Sequence, residues 1–180
     1  TAFGPSGMED EVSSLAMEDV KDICEVHDDT MRNTYMHFKQ DKEHETTILL
    51  DAHADEVGFI VQAIKPNGTI RFLPLGGWDP KNIVSGEVWI LNDKGEKISG
   101  IVASQPVHFL SEEKRNGKVD FDDLVIDVGA TSSQEVKEEF HISVGNFMCP
   151  AVTCKYDEAH KIFLGKAFDC RIGCAAVMDV

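Results

Sequence analysis

His53 and Asp55 stand two residues apart in the segment His53-Ala-Asp-Glu, directly after an apolar run. A neutral imidazole is a common ligand of zinc and cobalt. A carboxylate two residues further on can turn back and accept the proton of the other ring nitrogen, which fixes the tautomer and makes the imidazole a stronger ligand. The pattern predicts His53 as a metal ligand and Asp55 as the residue that orients it. So short a motif leaves open a structural alternative, a strand-end histidine capped by a turn carboxylate.

Asp169 is the second candidate metal ligand, because it lies between a strand predicted over 162–168 and a helix predicted from Arg171. A carboxylate at this place has two oxygens, which can bridge two metal ions ~3.5–4 Å apart, as in dinuclear hydrolases. Arg171 is expected to steady the turn. The alternative is a helix N-cap without any metal, since Asp is a favoured N-cap residue.

The cysteines allow a second kind of metal site. Their odd number, five, and the lack of a dense framework predict reduced thiols in a cytoplasmic protein. Cys149, Cys154, Cys170 and Cys174 are candidates for a four-cysteine zinc site, although four and three residues separate the two pairs instead of the usual two. Ordinary buried thiols are the alternative.

Charge and apolar patterning exclude several classes of partner. With 17 basic and 32 acidic residues the formal net charge is −15, which predicts no binding to nucleic acid or to an anionic membrane. No apolar run approaches the ~20 residues of a membrane span, and no signal peptide is visible. The chain starts at Thr1 and stops at Val180 in the apolar start of a helix, so we expect both ends to be cut.

The candidate ligands must be positioned by elements at both ends of the chain. A helix is predicted from Ser6 or Gly7 to about Cys24, with acidic residues in its first turn. Residues 46–53 read as a strand whose apolar centre does not alternate, which is typical of a parallel sheet covered on both faces. Sites in open α/β sheets form beyond the carboxyl ends of the strands. His53 and Asp169 are therefore expected at one sheet edge if their strands are parallel.

The middle of the chain is predicted to consist mainly of short strands separated by turns. Two turn motifs, 66–68 and 92–95, separate short strands that fit a small β-barrel or sandwich. Ser132 and Glu135 form a capping box for one helix. The five predicted strands are 58–64, 69–75, 86–92, 97–103 and 123–128, and two more are predicted over 151–156 and 162–168. We predict an α/β fold with an inserted β domain, divided as 1–57, 58–151 and 152–180.

Three further segments carry residues with chemical potential, and we interpret all of them as structural. Gly76-Gly-Trp-Asp-Pro is typical of a tight turn anchored by Trp78, with a binding loop as the alternative. His108 and His141 are isolated among β residues. The chain contains no nucleotide-binding glycine motif and no Gly-x-Ser-x-Gly, so Ser-His-Asp catalysis has no motif support.

Taken together, ordered segments across the chain resemble the glutamyl aminopeptidase or tetrahedral aminopeptidase family, some members of which have been labelled cellulase or endoglucanase. Six ordered blocks are far more specific than any one of them. They are Ala2-Phe-Gly-Pro-Ser-Gly with Glu11-Val, Asp51-Ala-His-Ala-Asp-Glu-Val-Gly-Phe, Gly76-Gly-Trp-Asp-Pro, Gly100-Ile-Val with Pro106-Val-His, Asp127-Val-Gly-Ala, and Lys166-Ala-Phe-Asp-Cys-Arg-Ile-Gly-Cys.

The resemblance implies a peptidase domain with two divalent metal ions, zinc or cobalt, and a smaller β domain used in assembly. It further implies hollow dodecamers that remove N-terminal residues from peptides. His53 would bind one metal, Asp55 would orient His53, and Asp169 would bridge both metals. Cys170 stands where the family usually has Asn or Asp, and a thiol there can bind metal or oxidise.

The family's catalytic Glu-Glu pair and its other ligands are implied downstream of Val180. The adjacent pair Glu138-Glu139 is no substitute, because it lies in the capped helix of the inserted domain. We therefore expect the 180-residue chain to be inactive and to bind metal weakly or not at all, since two ligands are fewer than the three typical of catalytic zinc.

Two alternatives stay open. One is a non-catalytic binding or assembly module in which the β domain is the working part. The other is a glycosidase, which needs two carboxylates ~5–9 Å apart that the sequence alone cannot pair.

Overall fold

The computed structural model describes residues 1–38, 48–105, 108, 112 and 117–180. They form two compact units, Thr1–Glu56 with Ala167–Val180, and Val57–Lys166. In chain order the elements are α1 (Asp10–Val20), β1 (Cys24–Asp28), β2 (Thr34–Phe38), β3 (Gly58–Ile64), β4 (Ile70–Leu75), β5 (Glu87–Leu91), β6 (Lys97–Ser104), β7 (Leu124–Asp127), α2 (Ser133–Glu138), β8 (Phe147–Pro150), β9 (Lys155–Asp157), β10 (Ile162–Leu164) and α3 (Phe168–Asp179). The predicted α/β class with a small β-barrel is confirmed.

The first unit consists of α1, the antiparallel hairpin β1–β2 and α3. Its buried apolar residues are few, namely Phe3, Val20 and Cys24. The turn of the hairpin is closed by Asp29, whose carboxylate accepts hydrogen bonds from the backbone amides of Met31 and Asn33, both at 2.9 Å. No residue of α3 is buried. Little apolar packing therefore holds this unit together within the described residues.

The second unit is built around a closed antiparallel barrel with the strand order β3-β4-β7-β6-β5-β8. Burial alternates along β5 and β7, as expected for strands that turn one face to a core. The barrel encloses a cluster of buried apolar residues, and its most buried members include Phe59, Ile70, Ile90, Ile126 and Met148. Strand β10 pairs with β9 outside the barrel.

The barrel strands lie where the sequence predicted them, with one omission. Strand β8 closes the barrel by pairing with both β3 and β5, and the sequence analysis missed it. Its four residues, Phe-Met-Cys-Pro, show no alternation, because the two central residues, Met148 and Cys149, are both fully buried. A strand this short carries too little periodicity to be recognised alone.

Helix α2 carries half of the predicted capping box. The Ser132 hydroxyl accepts a hydrogen bond from the Glu135 backbone amide at 3.2 Å, as the motif requires. The Glu135 carboxylate, however, accepts from the backbone amide and hydroxyl of Thr131, one residue earlier than predicted. The cap places Val136, which is fully buried, in the barrel core.

The segment Gly76–Pro80 is a turn anchored by its tryptophan, as predicted. The Trp78 indole donates to the Gly58 carbonyl at 3.0 Å and its ring stacks on Phe59 at 4.9 Å. Gly76 has φ +87°, and a Cβ there would lie 2.6 Å from a methyl of Val57. Only glycine fits this close approach.

Three sequence predictions about the first unit are wrong. Residues 46 and 47 of the predicted strand lie outside the described residues, and 48–53 are not a strand. Ile48 and Leu49 are about four-fifths exposed, at 81% and 79%, and no other strand of the described chain pairs with them. No parallel sheet forms among the described residues, since all ladders are antiparallel and the one parallel bridge joins Pro5 to Glu56. An apolar run predicts that a segment is buried, but it does not indicate which other segment packs against it.

The third correction concerns helix α1, which begins at Asp10 after Glu9 and not at Ser6 or Gly7. Ser6 instead lies in a turn whose hydrogen bond joins the Met8 amide to the Pro5 carbonyl at 2.9 Å. The Ser6 hydroxyl is engaged elsewhere, with Asp55. Among the described helices, none has the length and apolar character needed to cross a membrane.

Replacing Ile126, which is fully buried in the barrel, by Ala is expected to lower the free energy of unfolding by about 2–5 kcal/mol, because it removes core contacts and leaves a cavity. The matched control is Ile101→Ala on the neighbouring strand β6, whose side chain is 46% exposed and whose loss should cost less than about 1 kcal/mol. Urea unfolding followed by circular dichroism measures both. Equal losses would contradict the assignment of the barrel interior.

Candidate metal centre

The His53 ring lies between two carboxylates. Its Nδ1 atom is 2.9 Å from Oδ1 of Asp55, and its Nε2 atom is 3.1 Å from Oδ1 of Asp169. The structure thus brings together all three site residues that the sequence singled out, although 116 residues separate His53 from Asp169. The elements that position His53 and Asp169 differ from the expected ones, because the described residues form no parallel strands that end at a common sheet edge.

Asp55 is fixed from its other side by a residue that the sequence analysis did not assign to the site. The Ser6 hydroxyl donates a hydrogen bond to Oδ2 of Asp55, while Oδ1 faces His53. These contacts, that with Ser6 first, hold the pKa of Asp55 below its usual range. The only signal in the sequence is that Ser6 and Asp55 both belong to the ordered family blocks.

The electrostatics of the site favour a protonated imidazole when only protein groups are present. Hydrogen bonding to Asp169 and then to Asp55 raises the pKa of His53, against a small opposing effect of burial. The Asp169 carboxylate is almost fully exposed, so a cation can reach it from solvent. A metal ion at Nε2 would replace the proton that the two carboxylates attract.

Asp169 is positioned by an irregular start of α3. Residue Ala167 has a left-handed backbone with φ 57°, and Asp169 and Cys170 have non-helical dihedrals joined by a cis peptide bond. Asp169 is therefore not the N-cap, which is Ala167, and its carboxylate makes no capping hydrogen bond to the helix. Within α3, regular helical dihedrals continue from Arg171 onward.

Arg171 ties the site together. Its guanidinium donates to three backbone carbonyls, those of Ala54 and Ala2 at 2.9 Å and that of Gly4 at 3.4 Å. It also lies 3.3 Å from the Glu56 carboxylate, which is 5% exposed and was missed by the sequence analysis. The backbone amide of Glu56 donates to the Gly4 carbonyl at 2.9 Å. Three distant chain segments are thereby held beside His53.

A third donor completes the cluster. His53, Asp169 and Cys170 each offer one ligand atom, and these atoms all lie within 4.8 Å of one another. Among the residues that the structure describes, no other group of three His, Cys, Asp or Glu side chains is arranged in this way. Of the four cysteines considered for a zinc site, Cys149 and Cys154 belong to the second unit and Cys170 and Cys174 to the first.

The donor set fits a divalent transition metal. Two ligands of one tetrahedral zinc stand about 3.3 Å apart, given metal–ligand distances of about 2.0–2.2 Å. The 3.1 Å between Nε2 of His53 and Oδ1 of Asp169 is close to that value. Asp55 at Nδ1 is the partner that a metal-binding imidazole usually has.

Comparison with known proteins gives the class and then the family. The chain is 34% identical to the glutamyl aminopeptidase of Lactococcus lactis over 140 residues, 77% of this chain and 39% of that protein. It superposes on the TET aminopeptidase of the Thaumarchaeota archaeon SCGC AB-539-E09 with a TM-score of 0.91 and 36% identity, over 99% of this chain and 49% of that one. It also superposes on the Pyrococcus horikoshii TET1 peptidase with a TM-score of 0.83 and 27% identity, over 99% of this chain and 52% of that one.

The fold is thus one shared with aminopeptidases. The model of the M42 glutamyl aminopeptidase family matches residues 33–180, and the chain belongs to this family. It spans about half the length of these solved structures and less than half of the curated relative.

Replacing Arg171 by Ala is expected to destabilise the first unit by about 3–5 kcal/mol, because it removes the cation beside the buried Glu56 carboxylate. Arg32→Ala in the same unit is the control, since its ion pairs with Asp10 and Asp28 are exposed and should cost at most about 1 kcal/mol. Hydrogen exchange of α1 and α3 amides measures local opening. Similar exchange in both variants would show that Arg171 is not the anchor.

The pKa of His53 in the metal-free chain is expected above the ordinary value of ~6.5. Its raised value stabilises the folded state fully below pH ~6.5, and this contribution is lost as pH rises through the folded-state pKa. Asp55→Asn should lower the pKa of His53. An NMR titration of the ring protons measures it, with His160, which is paired to Asp157, as the internal control. A His53 pKa that Asp55→Asn leaves unchanged would contradict this geometry.

Proposed function

We propose that this chain supplies part of the active site of a metal-dependent aminopeptidase, with His53 and Asp169 as metal ligands and Asp55 as the residue that orients His53. The observation that carries the proposal is the Asp55–His53–Asp169 series, with contacts of 2.9 and 3.1 Å at the two ring nitrogens. Membership of the M42 glutamyl aminopeptidase family supports the reaction class.

The described residues divide the work at the site. Ser6 holds Asp55, and Asp55 accepts the Nδ1 proton of His53, which leaves the Nε2 lone pair free for a ligand bond. Asp169 presents one oxygen beside His53 and has a second one for another ion. Two bound divalent ions, zinc or cobalt, would polarise the scissile carbonyl and lower the pKa of a bound water. Arg171 keeps the two ligand-bearing segments in place.

Substrates and assembly belong to the same proposal. Peptides with a free N-terminus are the substrate class implied by the names of the relatives. We assign residues 58–151 a role in self-association into a dodecamer, in a cytoplasmic protein. This assignment is supported by the Pyrococcus horikoshii TET1 peptidase, a structural neighbour described as assembling into a tetrahedron or a large octahedral shell.

The deciding experiment measures hydrolysis of aminoacyl p-nitroanilides with added zinc or cobalt. A protein of the relatives' full length, read from the same frame, is expected to turn over, whereas the 180-residue chain is not, because the family's Glu-Glu pair is implied outside it. In the longer protein, Asp55→Asn should lower kcat/KM by about 10–100-fold as a supporting residue. His53→Ala should lower it further.

The matched control is Asp157→Asn, which breaks a second, exposed His–Asp pair, that with His160 at 2.8 Å, and should leave turnover unchanged. Turnover by the 180-residue chain alone would contradict the account of the missing base. Absence of turnover in the longer protein would favour the assembly module, and cleavage of a soluble cellulose derivative instead of peptides would favour the glycosidase.

A further inference from the structure

The unusual residue at the candidate metal centre is Cys170. Its Sγ atom lies within 4.8 Å of both the His53 nitrogen and an Asp169 oxygen, and its side chain is half-buried. A cluster of imidazole, carboxylate and thiol is a complete set of three protein ligands, the number typical of catalytic zinc. The expectation of weak metal binding counted only His53 and Asp169 as ligands and did not include the sulfur of Cys170.

The surroundings make room for this sulfur. A Cβ atom on Gly173 would lie 2.7 Å from Sγ of Cys170 and 3.0 Å from the Cβ of Ala52. The first distance is shorter than real Cβ contacts and the second is tight, so the absence of a side chain at 173 lets Sγ occupy its present place. Gly173 lies inside helix α3, where glycine is otherwise unfavourable by about 1 kcal/mol relative to alanine.

The neighbouring thiol of Cys174 is engaged differently. Its Sγ atom donates to the His53 carbonyl at 3.3 Å and lies 3.9 Å from the Ala52 carbonyl. These contacts use the thiol as a hydrogen-bond donor to the segment that carries His53. Cys174 is not a member of the three-donor cluster, so it serves as a matched control one turn away.

We propose that Cys170 is a third protein ligand of the metal at His53 and Asp169, and that its sulfur makes the site selective for thiophilic divalent ions. Thiolate ligands favour zinc and cobalt, whereas sites with only carboxylate and other oxygen ligands suit magnesium and manganese. This inference rests on the proposed function, because it takes His53 and Asp169 as ligands. It adds a residue that determines which metal the site holds.

The test is optical titration of the reduced 180-residue chain with Co²⁺. A sulfur-to-cobalt charge-transfer band in the near ultraviolet is expected for the unchanged chain, for Cys174→Ser and for Cys154→Ser, and is expected to be absent in Cys170→Ser. Competition with Zn²⁺ then gives affinities. Cys170→Ser should weaken Zn²⁺ binding by more than the ~10–100-fold that loss of a supporting residue costs. The preference for Zn²⁺ over Mn²⁺ should fall with it.

Gly173→Ala is the second variant, and it tests the same sulfur without removing it. Alanine favours the helix, so a weaker charge-transfer band and weaker Zn²⁺ binding in this variant would follow from displacement of Sγ and not from unfolding. Circular dichroism of every variant verifies that the fold is retained.

The outcomes separate the two proposals. Co²⁺ binding that His53→Ala abolishes, but that shows no sulfur band and is unchanged in Cys170→Ser, would overturn the role of Cys170 and leave the proposed function intact. If the sulfur band disappears in Cys174→Ser, the sulfur ligand is Cys174 and not Cys170. That result would likewise overturn the role of Cys170. If the unchanged chain binds no Co²⁺, the three-ligand site fails, and the proposed function, which needs only His53 and Asp169 in the longer protein, stands. Binding that is insensitive to His53→Ala and Asp169→Asn would overturn the metal assignment itself along with the inference.

Discussion

The structure of the first unit depends on one guanidinium group. Arg171 has five donors in a planar fork, and it uses them on the carbonyls of Ala2, Gly4 and Ala54 and on the Glu56 carboxylate. Ala54 and Arg171 are 117 positions apart in the chain, and Ala2 and Arg171 are 169 apart. Joining segments so distant costs loop-closure entropy. The planar fork of the guanidinium fixes where these carbonyls and the carboxylate can lie, which makes the geometry specific.

The two compact units are stabilised by different physics. The barrel has a continuous apolar core to which every strand contributes. The described part of the first unit buries few apolar side chains, and Ile48, Leu49 and Ile172 are exposed. Directional polar contacts therefore carry more of its order than hydrophobic burial does. Polar networks of this kind hold distances between particular atoms, which a metal centre requires.

The chemistry of the site follows from the groups that face the two ring nitrogens of His53. One carboxylate, steadied by Ser6, occupies Nδ1, and a second, exposed one faces Nε2. The same negative environment that raises the pKa of His53 would favour a divalent cation beside the ring. The irregular start of α3 places Asp169 and Cys170 side by side outside the regular helix, so that an oxygen donor and a sulfur donor face one imidazole.

Much of the barrel was readable from the chain, because alternation, turn residues and the Ser132 cap are local signals that the barrel core then reinforces. His53, Asp55 and Asp169 were also singled out from their types and from the ordered blocks around them, and the structure brings these three residues together. The closing strand β8 was not, since four residues without alternation have no periodicity to recognise.

Only tertiary structure decided how the site is built. The sequence placed His53 after a buried parallel strand, but residues 48–53 form none, and the approach to Asp169 comes from the Arg171 contacts instead. The hydrogen bond from Ser6 to Asp55 is likewise a contact between two segments that no local pattern relates. Residue types determine which atoms are able to bind a metal. The packing of distant segments determines whether those atoms meet, because a separation of 3 Å between residues 116 apart is a property of the whole fold.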